Sequence, residues 1–168
     1  MIPQNLKNFA LFVDGRGYAG KAPEVTLPKL TRKTREYSAG GMAGPVELDM
    51  GLEKLELSFT LEEFNKDILK LWGLSNMQQV ALRLTGTVND DSSDEHKPVE
   101  VIVRGRWKEI DFGSWKKDDA ASMKVMVNAA YYRLSVDSEE LIEIDMINMV
   151  EKVGGIDRLE SQRANLGI

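Results

Sequence analysis

The stretch Pro98-Val-Glu-Val-Ile-Val-Arg-Gly-Arg-Trp-Lys-Glu-Ile-Asp111, with its continuation Met123-Lys-Val-Met-Val-Asn-Ala-Ala-Tyr-Tyr-Arg-Leu-Ser-Val-Asp137, decides the fold. In the first half Val99, Val101, Val103 and Trp107 alternate with Glu100, Arg104, Arg106 and Lys108. A period of two over that length is the mark of a strand with one apolar and one basic face. The intervening Asp111-Phe-Gly-Ser-Trp-Lys-Lys-Asp-Asp119 is polar and glycine-broken, so the two halves form a long hairpin. In the second half Met123, Val125, Val127, Ala129 and Tyr131 fall on one face, and Met126, Ala130, Tyr132, Leu134 and Val136 on the other. A strand apolar on both faces needs cover on both sides. The expectation is that a second sheet or another subunit supplies it.

Outward from this hairpin the chain reads as further strands. Phe9–Val13 is strand-like, Asp14-Gly-Arg-Gly17 is a hairpin turn, and Glu24–Leu27 follows as a strand ended by Pro28. The glycines at 15 and 17 do not form a phosphate cradle: there is no GxxxxGK[ST] and no following helix to hold an anion. Val46, Leu48, Met50 and Leu52 occupy even positions and Leu55, Leu57 and Phe59 odd ones. A one-residue slip sends every side chain to the opposite face, so a bulge or break is expected between Gly51 and Lys54. Val80–Leu84 alternates again. Leu141–Val150 is expected to be a final strand, broken by Gly154-Gly155, with a short polar helix over 156–166.

One internal helix is expected. Thr60-Leu-Glu-Glu63 has the form of a capping box, Leu61, Phe64, Ile68, Leu71 and Trp72 follow at helical spacing, and Gly73 fits the residue after its end. The aromatic stripe on that helix is read as core. Residues 29–45 are polar and glycine-rich, with Met42 near the tip. Such long loops are functional or disordered more often than not, and Met suits adaptable contacts.

Composition narrows the function. The chain has 168 residues, 42% hydrophobic and 29% charged, which is enough for a single domain with its own core. The apolar runs fall short of the roughly 20 residues that cross a bilayer, and the N-terminus has no signal-peptide pattern. There is no cysteine, which removes disulfides, thiolate metal sites and cysteine nucleophiles. The net charge of −5 argues against binding nucleic acid by phosphate neutralisation. The single histidine, His96, stands in the acidic turn Asn89–Glu95 without a partner, and that turn lacks the calcium-loop pattern. No catalytic pair and no metal or cofactor site is legible, so the residues point to a non-enzyme. An exposed platform of Trp107, Trp115, Tyr131 and Tyr132 would instead mark a stand-alone carbohydrate-binding β-sandwich, although packing is the favoured reading of those four.

Several ordered segments resemble one family. They are Leu27-Pro-Lys-Leu30, Tyr37, Ala39-Gly-Gly-Met42, Pro45-Val46 and Asp49-Met-Gly-Leu52, then Arg104-Gly105, Lys108-Glu-Ile-Asp111 and Tyr132-Arg-Leu134. Glu143-Ile-Asp145, Asn148, Gly155-Ile-Asp-Arg-Leu159, Arg163 and Leu166-Gly167 complete the set. Together they resemble the major tail tube proteins of contractile phage tails, as in P2-like phages and R-type pyocins. The resemblance is thinnest over 61–97.

It implies a mainly β fold: an antiparallel β-barrel or sandwich with one flanking α-helix and a short C-terminal helix. The sheets would join between subunits in a hexameric ring. It implies one tail tube domain over residues 1–168, with a long extended loop at about 29–45. The implied role is structural: stacked rings forming an inner tube inside a sheath, a channel or a rigid membrane-piercing rod. Implied partners are the sheath protein, the baseplate hub, the tail terminator and a tape-measure protein in the lumen. DNA would be met only in transit, and no stable membrane association is implied. Such a protein is made in the bacterial cytoplasm and ends in a virion tail or a released bacteriocin. Tyr37, Gly40, Gly41, Met42, Pro45 and Met50 are the expected ring-ring or subunit contacts. Arg104, Arg106 and Lys108 are the expected polar strand face, on the lumen or the outer wall, although an acidic lumen would let DNA pass more freely.

Overall fold

The computed structural model describes residues 2–168; the signal-peptide reading, which includes Met1, extends outside them. The elements in chain order are β1 (Asn5–Val13), β2 (Arg16–Gly17), β3 (Glu24–Thr26), β4 (Arg32–Tyr37), β5 (Val46–Leu52), β6 (Leu55–Leu61) and α1 (Lys66–Leu69). They continue as β7 (Val80–Asn89), β8 (Lys97–Asp111), β9 (Met123–Val136), β10 (Glu139–Asp145), β11 (Val150–Val153), β12 (Ile156–Asp157) and α2 (Glu160–Leu166). Ten strands form one antiparallel sheet in the order β12-β11-β10-β9-β8-β7-β1-β2, with β6 also paired to β9 and β3 to β6. The remaining two, β4 and β5, pair only with each other.

The β8–β9 hairpin is the spine, as its alternation predicts. It is not apolar on both faces, however. Arg104 lies opposite Tyr131 and Gly105 opposite Ala129, so Ala130 is an extra residue in β9. A bulge of one residue shifts the side-chain phase by one. Met123, Val125, Val127 and Ala129 point into the core before it, and Tyr132 and Leu134 after it. Apart from Met126, Ala130 and Tyr131, the two apolar rows are therefore consecutive parts of one inward row, and the sheet covers most of its own apolar surface.

Gly105 makes the bulge possible. A Cβ there would stand 2.3 Å from the Asn128 carbonyl oxygen and 3.0 Å from Val127 Cγ1. Beyond it β8 carries a second irregularity, between Trp107 and Glu109.

The bulge also divides the edge of β9. β8 occupies one edge along the whole strand. On the other, β6 pairs with Met123–Ala129 and β10 with Tyr131–Val136. The core fills the curve of this sheet. Phe59 meets Trp107 edge-on at 5.6 Å between ring centres, and the Trp107 indole N–H donates to the Ile68 carbonyl at 2.8 Å.

Besides the helix expected over 156–166, which starts only at Glu160 because Ile156 and Asp157 pair with Val153 and Lys152 as β12, two expected elements differ. The long helix is a single turn. Thr60 and Leu61 are paired to Lys124 and Met123 in the sheet, so the expected capping box does not form. Asn65 caps instead, its side-chain oxygen accepting from the N–H groups of Asp67 and Ile68. Ile68 is buried, but Phe64 and Trp72 are exposed rather than core. The helix is capped at Lys70, so Gly73, at φ +83°, lies in the turn beyond it and not directly after its end. Second, Leu141–Val150 is not one strand. It turns between β10 and β11, where the Asp145 carboxylate accepts from the N–H groups of Ile147 and Asn148 and Met149 takes a φ of +55°. The break between Gly51 and Lys54 stands where the phase change puts it, with Gly51 at φ +106°.

Gly105→Ala is expected to destabilise the protein by about 3 kcal/mol, the upper end of the cost of overpacking. The added methyl would meet backbone, which cannot swing aside. Denaturant unfolding of the two variants measures the difference.

Candidate assembly surfaces

The polar loop expected over 29–45 is in large part a β-hairpin, β4 and β5, that projects as an arm. Its strand residues are exposed except for the half-buried Leu52. Tyr37 pairs with Val46 and Arg35 with Leu48, which puts Tyr37, Val46, Leu48 and Met50 on one face. Glu36 pairs with Glu47 and Thr34 with Asp49, which makes the other face acidic. Tyr37 and Met50 thus sit on the apolar face, Met50 at 54% exposure, while Gly40, Gly41, Met42 and Pro45 form the exposed tip. All six expected contact residues are on this arm.

An isolated two-stranded hairpin is marginal in water. This one is held at its root. The Glu53 N–H donates to the Thr31 carbonyl at 2.8 Å. Arg32 forks onto Glu151 of β11, with Nη1 donating to Oε2 at 3.1 Å and Nη2 to Oε1. The Arg32 Nε lies 3.6 Å from the Asp49 carboxylate as well. Glu151 is buried, so the guanidinium is what lets a carboxylate remain there. Beside this clamp a groove of about 580 Å³ runs between arm and body, lined by Met50, Ile144, Met149 and Leu159 among others.

Arg104, Arg106 and Lys108 share the exposed face of β8, as the alternation predicts. They do not act as one field. The Arg104 guanidinium lies over the Tyr131 ring, 4.7 Å from its centre. Burial raises the Tyr131 hydroxyl above the ordinary tyrosine value, and its hydrogen bond to Glu143 (3.0 Å) acts in the same direction. Arg106 donates to the Ser75 carbonyl at 3.0 Å. Lys108 donates to Glu56 at 2.6 Å, which raises the ammonium and, together with Lys54, lowers the Glu56 carboxyl.

At the C-terminus α2 buries no side chain. Arg163 ties it down, donating to the Met149 carbonyl at 2.8 Å and to the Asp157 carboxylate. The Arg163 hydrogen bond holds the Asp157 carboxyl below the usual aspartate range.

Of the four aromatic residues weighed as a platform, Trp107, Tyr131 and Tyr132 are buried and Trp115 is 79% exposed. The four make no common surface. A different aromatic group does: Phe64 contacts Phe112 at 5.9 Å and Trp115 at 5.8 Å between ring centres. Its members are separated in sequence by the whole of β7 and β8, so no local spacing announces it.

An arm with an uncovered apolar face, on a body that closes its own core, belongs to the class of structural subunits that assemble. The comparisons specify which. The family model for phage tail tube protein FII matches residues 3–167, and the chain belongs to that family. It is 41% identical to the tail tube protein of Escherichia phage P2 over 170 residues, covering 99% of each chain. It is 38% identical to the major tail tube protein of Serratia phage KSP20, over 92% of this chain and 90% of that one. Among solved structures it resembles the sheath/tube terminator of the extracellular contractile injection system PVC in its extended state. That match has a TM-score of 0.59 at 13% identity, over 80% of this chain and 98% of the other. The PVC sheath-tube complex gives 0.58 at 13% identity, over 79% and 91%. At such identities these two likenesses establish the fold alone.

Two predictions test the anchors. Arg32→Ala is expected to loosen the arm and leave Glu151 buried without a partner, so limited trypsin digestion at Lys33 and Arg35 accelerates. The cost is about 2 kcal/mol, below that of a fully buried pair because Arg32 is half-exposed. The second concerns pH. Because the folded-state value of Asp157 is depressed, its stabilisation is complete above the ordinary aspartate value of about 3.9 and is lost as pH falls through the depressed value. Amide exchange in α2 is therefore expected to rise in that acid window, and to be already raised at neutral pH in Asp157→Asn.

Proposed function

We propose that the chain is the repeating unit of the inner tube of a contractile tail, six copies closing into a ring and rings stacking within a sheath. The observation that carries this reading is the arm: seven residues of β5 with an apolar row left exposed among the described residues. Family membership supports the tube role, and the solved relatives include a terminator and a sheath-tube complex. In this reading the curved sheets of six subunits form a barrel-like wall around a lumen. Sheath, tail terminator and baseplate hub bind its outside and ends, and a tape-measure protein or DNA in transit occupies the lumen. The mature location is a virion tail or a released particle.

The physics favours assembly. Tyr37, Val46, Leu48 and Met50 each lose favourable free energy by facing water, about 25 cal/mol for each Å² of apolar surface. A ring contact that covers them, with further surface, is expected to exceed about 2,000 Å², as obligate contacts do. The acidic net charge suits a wall past which DNA slides, and Lys108, paired with Glu56, adds little positive potential to it.

Removing Ala39–Gly44, or replacing Leu48 by Glu, is expected to leave a folded and soluble protein that no longer builds tubes in negative-stain micrographs. Tubes of normal length from both variants would reject the arm as an assembly element.

A further inference from the structure

Stacking of identical rings in one direction is heterologous: the surface that leaves one ring differs from the surface that receives it in the next. An arm that paired with its own copy would close as a dimer and stop. The receiving surface must therefore be a second uncovered apolar surface of the same chain. This inference rests on the tube reading above and names its missing half.

We infer that the exposed aromatic patch of Phe64, Trp72, Phe112 and Trp115 receives the arm of a copy in the adjacent ring. Trp72 and Trp115 are 55% and 79% exposed, Phe64 38% and Phe112 44%. Phe64 meets Phe112 edge-on and Trp115 at a tilt, so these three present a held surface rather than free side chains. Beside them Leu69, Trp72, Ile110 and Phe112 line a shallow cleft of about 250 Å³. The row on the arm matches this chemically. Methionine and branched aliphatic side chains pack on aromatic faces, and a thioether gains further from the ring edge.

Placement agrees. The arm joins the body at Leu55, the first residue of β6, opposite Ala129. The patch gathers beyond the other end of β6, where Leu61 lies opposite Met123 and β8 ends at Asp111. The root of the arm and the patch are separated by the length of β6, about 20 Å at the rise of a strand. Root and patch thus lie at opposite ends of one strand, as a head-to-tail contact requires.

Charge agrees as well. Arg35 stands on the same face of the arm as Tyr37 and Leu48, and a guanidinium is attracted to the faces of tryptophan and phenylalanine rings.

The chain has no cysteine, so a pair of introduced thiols reports on one contact without background. Met50→Cys and Trp115→Cys chains are mixed, assembled and oxidised, with Phe112→Ser/Trp115→Ser as the second variant. The expected results are a disulfide-linked dimer from the mixture that neither chain gives alone, and loss of tubes in the double-serine variant with its melting curve unchanged. Tubes of wild-type length from the double-serine variant overturn the inference and leave the tube reading intact. Tubes that form but fail to take up sheath protein overturn it too, by giving the patch to the sheath. A wild-type chain that never stacks, even when seeded, removes the tube reading and this inference together.

Discussion

A strand has two edges, and each backbone group on an edge can pair once. β9 is where that rule shapes the molecule. β8 takes one edge entirely, and the other is contested by β6 and β10, which divide it at Ala130. The bulged residue is not left unsatisfied, because its carbonyl accepts from the N–H of Met146 in the β10–β11 turn at 2.9 Å. With β10 seated from Tyr131 onward, the chain before Leu55 has no edge to follow. Its backbone groups still need partners. They find them in β4, and the arm is the result. The feature that makes this chain a building block thus follows from how one strand edge is shared.

The same division explains where the clamp sits. β11 lies beyond β10 in the sheet, and Glu151 on it reaches the first residue of β4. A buried carboxylate is unfavourable unless paired, and a guanidinium matches it with two parallel bonds. The arm is therefore fixed at its root by a buried carboxylate of the body whose side-chain partner is Arg32. Further out nothing of the chain's own covers it. Body and arm have different sources of stability: burial within the sheet for one, and the Arg32–Glu151 clamp at its root for the other.

The sequence makes the spine legible because one face of β8 is buried and the other wet, which writes the pattern directly. Asp14-Gly15 and Gly51 are legible for a related reason: both places take positive φ, at 80° for Gly15 and 106° for Gly51. The bulge at Ala130 is not legible. Ala129-Ala-Tyr-Tyr132 is apolar at every position, so a phase shift inside it leaves no mark. The helix was overestimated because Thr60 and Leu61 satisfy a capping pattern that costs nothing to ignore once β9 offers them ladder bonds. Val46, Leu48 and Met50 alternate like any core-facing strand, and sequence cannot tell an intramolecular core from a neighbouring subunit. For that reason the arm's tip was legible as an exposed loop while its strands were not legible as an arm. The aromatic patch was missed because its residues come from two distant loops.

A protein that must wait for its neighbours needs its arm to stay soluble meanwhile. Both edges of a two-stranded sheet are open, and open edges invite unwanted pairing. The arm carries its own deterrents. Arg35 lies beside Tyr37 and opposite Leu48, interrupting the apolar row, and Glu36 and Glu47 put two carboxylates across from each other on the reverse face. A second arm laid against that face would bring four carboxylates together. Self-pairing through the reverse face is thus disfavoured by two residues, Glu36 and Glu47, sharing one register position.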